Sequence, residues 1–383
     1  MKINATLPEK GRDLRLDLFR GVANWAIFLD HIPDNVVNWI TTRNYGFSDA
    51  ADLFVFISGY TASFVYARMM LERGFFVGAT RLTKRVWQLY VAHIILFVIY
   101  IVAIGYLARR FGDSEIINEF NVAGLAGDQA IETLRQGLLL KFKPVNLDVL
   151  PLYIVLMGLF PPVLWMMLRR PNETMLASIL LWLAARQFGW NLPAYPAGTW
   201  YFNPYCWQVL FVFGSWCALG GARRSMSIIN APYTLYFCIA YLAFALVMTM
   251  AGKFSDFGAM FPDWLYSAFN PNDKTNLAPY RFLHFVVIVI LVIRFVPKDW
   301  SGLEWKMFDP LIVCGQQSLA VFCVGVFLSF VGHFELMMSS GSLFAQIFVS
   351  VTGIAIMTIV AYYISWSKRQ DKPLPKPAPA KAA

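Results

Sequence analysis

The chain has 383 residues, of which 58% are hydrophobic and 14% charged, and its mean hydropathy is +0.53. Soluble domains carry about a quarter charged residues, so this composition excludes a soluble fold. The net charge of +9 does not indicate nucleic-acid binding, because the basic residues lie in loops beside apolar segments and there report orientation in a membrane.

The apolar residues come in runs close to the ~20 residues that cross about 30 Å of hydrocarbon as a helix. Ten runs are predicted to span the membrane: Leu16–Ile32, Ala50–Met70, Val86–Leu107, Leu150–Leu168, Met175–Phe188, Tyr205–Gly221, Tyr233–Met250, Tyr280–Val296, Leu311–Val331 and Leu343–Trp366. The predicted fold class is therefore all-α, a polytopic transmembrane bundle of about ten helices. This domain covers residues 16–366, between a tail at 1–15 and a Pro/Ala/Lys-rich tail at 367–383 that we predict to be disordered.

The positions of Lys and Arg predict the orientation of the bundle. With the N-terminus inside, about twice as many basic residues fall in cytoplasmic segments as in outer segments, which agrees with the positive-inside rule. Both tails are therefore predicted to be cytoplasmic. The first apolar run holds Asp17 and Arg20 and has no small-residue cleavage site. We therefore predict a signal-anchor helix and not a cleaved signal peptide.

Cysteine and histidine usage argues against a metal centre. The five cysteines include no CxxC pair, and the four histidines are dispersed along the chain. Neither a disulfide framework nor a metal site is predicted from these spacings.

The first predicted span carries an unusual number of polar residues. Arg20 and His31 are eleven positions apart, which places them within about 20° of one another on a helix and about 16.5 Å apart along its axis. Asp17, Asn24 and Asp34 fall near the same stripe. Such a stripe must face the bundle interior or a watery cavity. The alternative is an interfacial Asp17–Arg20 ion pair with an ordinary interfacial histidine.

Two segments around this span, RDLRLDLFRGVANWAIFLDHIPDN and GFSDAADLFVFISGY, resemble the membrane-bound acyltransferase family 3 and its relatives. That family places an Arg and a His with ten residues between them in its first helix, matched here by Arg20 and His31. The segments WYFNPYCWQVLFVFG and CGQQSLAVFCVGVF look more closely like the OpgC proteins, succinyltransferases of bacterial osmoregulated periplasmic glucans. The resemblance extends from Arg12 to about Trp366.

The resemblance implies transfer of an acyl group from a cytoplasmic acyl-CoA to a hydroxyl on the far side of the bacterial inner membrane. The implied donor is succinyl-CoA, the implied acceptor is a periplasmic glucan, and no permanently bound cofactor is expected. The chain would contact these substrates and membrane lipid, without nucleic acid. Arg81, Lys84 and Arg85 are candidates for binding the phosphates of the donor, since guanidinium and ammonium groups bind phosphate strongly. The alternative is that these three charges only set the topology.

On this interpretation His31 is the general base at the acceptor hydroxyl, because imidazole titrates near neutral pH, and Arg20 holds the donor's arm or polarises its carbonyl group. A carboxylate would orient His31, and the candidates are Asp30, Asp34, Asp49 and Asp52. The sequence does not choose among them. A covalent route through an acyl-imidazole needs no different residues.

Three further polar residues near the outer ends of later spans are candidates for binding sugar hydroxyls: Asn203, Gln208 and His284. Two other functions compete with the preferred one. An acetyltransferase acting on another envelope polysaccharide or lipid would use the same residues. A transporter would line its solute path with the Arg20–His31 stripe, although no internal repeat of the kind common in transporters is visible.

Overall fold

The computed structural model describes residues 4–7, 11–111, 120–125 and 128–371. Residues 372–383 of the predicted C-terminal tail, and part of the N-terminal tail, lie outside these ranges. The described residues form no strand, and they contain twelve helices of eight or more residues. These are α1 (Leu14–Asp30), α2 (Ala50–Arg73), α3 (Phe75–Phe111), α4 (Ala130–Leu138), α5 (Val149–Arg169), α6 (Pro171–Phe188), α7 (Pro204–Ala218), α8 (Pro232–Lys253), α9 (Pro279–Phe295), α10 (Asp309–Gln316), α11 (Ser318–Met338) and α12 (Leu343–Gln370).

Each of the ten predicted spans coincides with a helix, which confirms the all-α fold class. The ninth span differs, because it is divided at Gln317 into α10 and α11. Helix α12 continues to Gln370, past the predicted start of the tail at residue 367. Among the described helices, α2, α3, α5, α8, α11 and α12 are long and apolar enough to cross a membrane. Several such helices make this a multi-pass membrane protein, whereas the count of ten crossings and the cytoplasmic termini stay predictions.

Helix α1 begins and ends at clear local signals. The side chain of Asp13 caps its N-terminus by accepting a hydrogen bond from the backbone N–H of Arg15. The helix ends at Asp30, two residues before the predicted end, because a proline disfavours helical geometry in the residue before it and lacks an N–H of its own. Pro33 therefore stops the helix, and Asp34 adopts a left-handed backbone with φ of 52°. The expectation that Asp34 shares a helical face with His31 is wrong.

Close backbone contacts hold α1 in the middle of the bundle. A Cβ atom at Gly21 would lie 1.9 Å from the carbonyl oxygen of Leu311 in α10, and Gly315 of α10 packs equally tightly on α1. Gly59 and Gly214 bring α2 and α7 together in the same way. Small residues let membrane helices approach closely and gain van der Waals contact where no hydrophobic effect drives association. These contacts fix α1 and α2, which carry the candidate site.

Candidate active site

Two cavities lie at the two ends of α1. The first, here called the His31 cavity, has a volume of about 950 Å³ and is lined by Asp30 and His31. The second, the Arg20 cavity, has a volume of about 710 Å³ and is lined by Arg20 and Arg85. The stripe predicted on the first helix therefore faces two separate cavities, one at each end.

In the Arg20 cavity, Arg20 is held from two sides and its side chain is 18% exposed. Its Nη2 atom donates a 2.6 Å hydrogen bond to the hydroxyl of Thr61 on α2. Its Nη1 atom lies 4.0 Å from the carboxylate of Asp17, which accepts closer hydrogen bonds from Arg12. Arg20 thus has a fixed position, and Asp17 does not depend on it as a partner.

The break between α10 and α11 forms part of the same cavity, which Gln316, Gln317 and Ser318 line. Gln317 donates from Nε2 to Ser365 at 2.9 Å and accepts from Lys368 Nζ at 2.6 Å. The first backbone N–H groups of a helix have no partner inside that helix and carry a partial positive charge.

Of the three basic residues proposed to bind phosphate, only Arg85 lines the Arg20 cavity. Arg81 and Lys84 are exposed on the same helix and line neither cavity. Lys368, which the sequence suggested only as a topological charge, is exposed at this cavity. The cationic residues that line it are therefore Arg20, Arg85 and Lys368, and no acidic residue accompanies them among its lining residues.

In the His31 cavity, Asp30 and His31 stand at the end of α1. The Oδ1 atom of Asp30 accepts a 2.7 Å hydrogen bond from Thr41, and its carbonyl accepts one of 2.9 Å from Arg43. The imidazole of His31 lies beside the backbone of Ile27, and its enclosed Nδ1 atom makes no hydrogen bond of acceptable geometry. Within the described residues no carboxylate forms a hydrogen bond or ion pair with His31, so the structure assigns no orienting partner to it.

A buried charge cluster lies against this cavity. Asp49 caps α2, accepts a hydrogen bond from Lys274 Nζ at 2.6 Å and forms an ion pair with Arg281 Nη2 at 2.9 Å. Arg281 also binds both carboxylate oxygens of Asp52, which is completely buried. Burial alone would raise the pKa of Asp49, but Lys274 and Arg281 together lower it well below the usual range. Asp49 therefore carries a full negative charge that its partners neutralise.

The structure separates the remaining candidates from the cavities. Asn203 caps α7 and donates to the Trp190 carbonyl and the Asn276 side chain. Gln208 exchanges two hydrogen bonds with Ser178 of α6. Neither residue lines either cavity: Asn203 ties α7 to two loops, and Gln208 joins α7 to α6. Asp34 is exposed and lines neither cavity.

His284 packs against the loop that precedes α2. Its Nδ1 atom lies 2.7 Å from the hydroxyl of Ser48. A Cβ atom at Gly46 would lie 2.2 Å from its Nε2 atom, so only glycine fits above the ring. His284 does not line the His31 cavity, and it acts on the cavity through the Gly46–Asp49 segment.

The charged residues of this cavity that sequence reasoning missed include Lys143, Asp148, Lys274 and Arg281. All four lie in loops or at the start of a helix, where periodicity carries no information. The sequence did contain one indication that cationic residues line this cavity. Asp49 and Asp52 stand at the start of an apolar helix, and buried carboxylates there require cationic partners from elsewhere in the chain.

The wall between the two cavities is thin. On α2, Ala51 lines the His31 cavity and Phe54 lines the Arg20 cavity. These two residues are separated by less than one helical turn, or about 5 Å along the helix axis. The Phe54 ring stacks on Phe322 at 5.5 Å and meets Tyr153 edge-on at 5.4 Å. The two cavities therefore approach each other closely at this aromatic cluster.

Comparison with known proteins gives one match. The sequence model of the family described as OpgC protein matches residues 12–369, nearly the whole chain. Searches of curated proteins and of solved structures give no match.

Proposed function

Because the chain belongs to the OpgC protein family, an assignment that implies an acyltransferase-type enzyme, we propose that it transfers a succinyl group from cytoplasmic succinyl-CoA to hydroxyls of a periplasmic glucan across the bacterial inner membrane. The observation that carries this proposal is the pair of cavities separated by less than one turn of α2. An enzyme whose donor and acceptor lie on opposite sides of a membrane needs two such chambers and a short passage between them.

The Arg20 cavity suits the donor. Coenzyme A carries its phosphates at one end and its thioester at the other, joined by a long flexible arm. Arg85 and Lys368 are accessible at this cavity, whereas Arg20 is mostly buried. The phosphates would bind Arg85 and Lys368, and the thioester end would reach Arg20 and the start of α11. A cavity with three lining cations and no lining acid favours a polyanionic ligand.

The His31 cavity suits the acceptor. Its larger volume, its mixture of acidic and basic side chains and the half-exposed ring of Tyr201 on its wall are compatible with a polar, neutral carbohydrate, since sugars bind by hydrogen bonds and stacking on aromatic rings. His31 would accept the proton of the attacking hydroxyl. The hydroxyl oxygen attacks the thioester carbonyl carbon, the carbon–sulfur bond breaks, and coenzyme A leaves as a thiolate that takes a proton from water.

The test uses the purified, detergent-solubilised protein with radiolabelled succinyl-CoA and a neutral glucan. We expect labelled, alkali-labile ester on the glucan, and a thermal stability that rises with CoA concentration as mass action requires. Indifference of thermal stability to succinyl-CoA, acetyl-CoA and CoA, together with no ester formation, would contradict the proposal and leave the transporter function. Transfer from acetyl-CoA but not from succinyl-CoA would mean that the protein is an acyltransferase whose donor is acetyl-CoA and not succinyl-CoA.

A further inference from the structure

Lys143 is unlike the other cations of the His31 cavity. Six basic residues line that cavity within the described chain: Arg43, Lys141, Lys143, Lys253, Lys274 and Arg281. Lys274 and Arg281 are ion-paired with aspartates, whereas Arg43, Lys141 and Lys253 are exposed to solvent. Lys143 alone among the six is buried, at 9% exposure, and has no carboxylate of the described residues within 4 Å.

The contacts of Lys143 leave its charge uncompensated. Its Nζ atom lies 4.0 Å from the centroid of the Trp200 ring and 3.4 Å from the carbonyl oxygen of Leu140, at the long limit of a hydrogen bond. An ammonium group has three donors, so at least one is left at the cavity wall without a partner among the residues that the structure describes. Burying a charge without a partner is costly, and a structure that retains one at a cavity wall is suited to an anionic ligand.

The surroundings keep this group charged at neutral pH. Burial lowers the pKa of Lys143 to about 8, which leaves the ammonium form predominant at pH 7. Asp148 is the acidic group whose field acts on it from beyond ion-pair distance, and burial raises the pKa of Asp148 to about 6. His93 of α3 also faces Lys143. Neither residue supplies the missing close contact.

We propose that Lys143 binds the free carboxylate of the transferred acyl group and thereby selects a succinyl donor over an acetyl donor. This inference rests on the proposed function. A succinyl group carries a carboxylate three bonds beyond its reacting carbonyl carbon, and an acyl group within reach of His31 places that carboxylate in the His31 cavity. Sugar hydroxyls are neutral and leave the charge of Lys143 uncompensated, whereas a carboxylate forms a charge-assisted hydrogen bond with it.

The experiment compares kcat/KM for succinyl-CoA and for acetyl-CoA, with an uncharged glucose oligosaccharide as acceptor, in four proteins: wild type, Lys143→Met, Lys143→Arg and Lys298→Met. In Lys143→Met we expect the succinyl value to fall roughly 10- to 100-fold, the usual range for losing a hydrogen bond to a charged group, while the acetyl value is unchanged. Lys143→Arg should keep most of the preference. Lys298→Met removes an equal but exposed charge that lines neither cavity, and it should leave both values unaltered.

The uncharged acceptor excludes acidic groups on the glucan as the source of the effect. An equal loss for both donors in Lys143→Met would overturn the inference and return Lys143 to a structural role with Trp200. Wild-type transfer from acetyl-CoA but not succinyl-CoA would overturn both the inference and the proposed donor, and transfer from neither would overturn the proposed function itself. If Lys143→Met fails to fold, the inference is tested on the wild type, by measuring the ratio of kcat/KM for succinyl-CoA to that for acetyl-CoA at pH 7 and pH 9. An unchanged ratio contradicts a role for the ammonium group.

Discussion

The two cavities are built in different ways. The Arg20 cavity takes its charges from three long helices, α1, α3 and α12. The His31 cavity takes Lys143 and Lys274 from loops, and Asp49 and Arg281 from the first residues of α2 and α9. One cavity is lined by cations without acids, and the other by six cations and three acids. The difference fits a polyanionic donor on one side and a neutral acceptor on the other.

The largest expected effect comes from replacing His31, which tests the role of the His31 cavity. If the His31 cavity is where the hydroxyl reacts, His31→Ala should reduce transfer at least about 100-fold, the low end for loss of a general base, while the protein still binds CoA in the other cavity. Measured transfer and CoA-dependent thermal stabilisation separate the two effects. His31 lies at the end of α1, just after its last residue, so we expect wild-type expression. Near-normal transfer in the folded variant would remove His31 from the reaction.

Arg20 tests the other cavity. Arg20→Lys keeps the charge but loses the planar fork, and we expect transfer to fall about tenfold or more, with a further fall in Arg20→Ala. Both variants should fold, because Asp17 retains its closer partner Arg12. The stabilisation that CoA gives the wild type should shrink in both. Unaltered stabilisation by CoA in Arg20→Ala would place the donor somewhere else.

Arg85 and Arg81 form a matched pair for the phosphate contact. They lie one turn apart on α3, but only Arg85 lines the cavity. Arg85→Gln should raise the KM for the donor several-fold with little change in kcat, because contacts remote from the reacting atoms bind substrate and transition state equally. Arg81→Gln should change neither constant. Equal effects of the two substitutions would mean that both act only through the overall positive charge of that surface.

The fold and one half of the candidate site follow from the sequence. Apolar runs located the helices, and the spacing of Arg20 and His31 identified the helix that joins the two cavities. The other half depends on tertiary structure. The sequence could not show that the Asn203 amide is bonded to a loop and the Gln208 amide to a neighbouring helix, since an amide near a helix end looks the same in either role. It also could not place Lys143 beside His31 in one cavity, because more than a hundred residues with their own turns separate them.

The last expected effect is a change of donor preference with pH. The ammonium group of Lys143 binds a carboxylate only when protonated, and its pKa is about 8. The ratio of kcat/KM for succinyl-CoA to that for acetyl-CoA should therefore be steady near pH 7, fall by about half at pH 8 and by roughly tenfold at pH 9, as a single titration requires. Titration of His31 affects both donors and cancels in the ratio. In Lys143→Arg the fall should disappear, because a guanidinium stays protonated throughout this range. A wild-type ratio that stays flat to pH 9, or an equal decline in Lys143→Arg, would show that another group sets the preference and that the two cavities differ in something other than the recognition of this carboxylate.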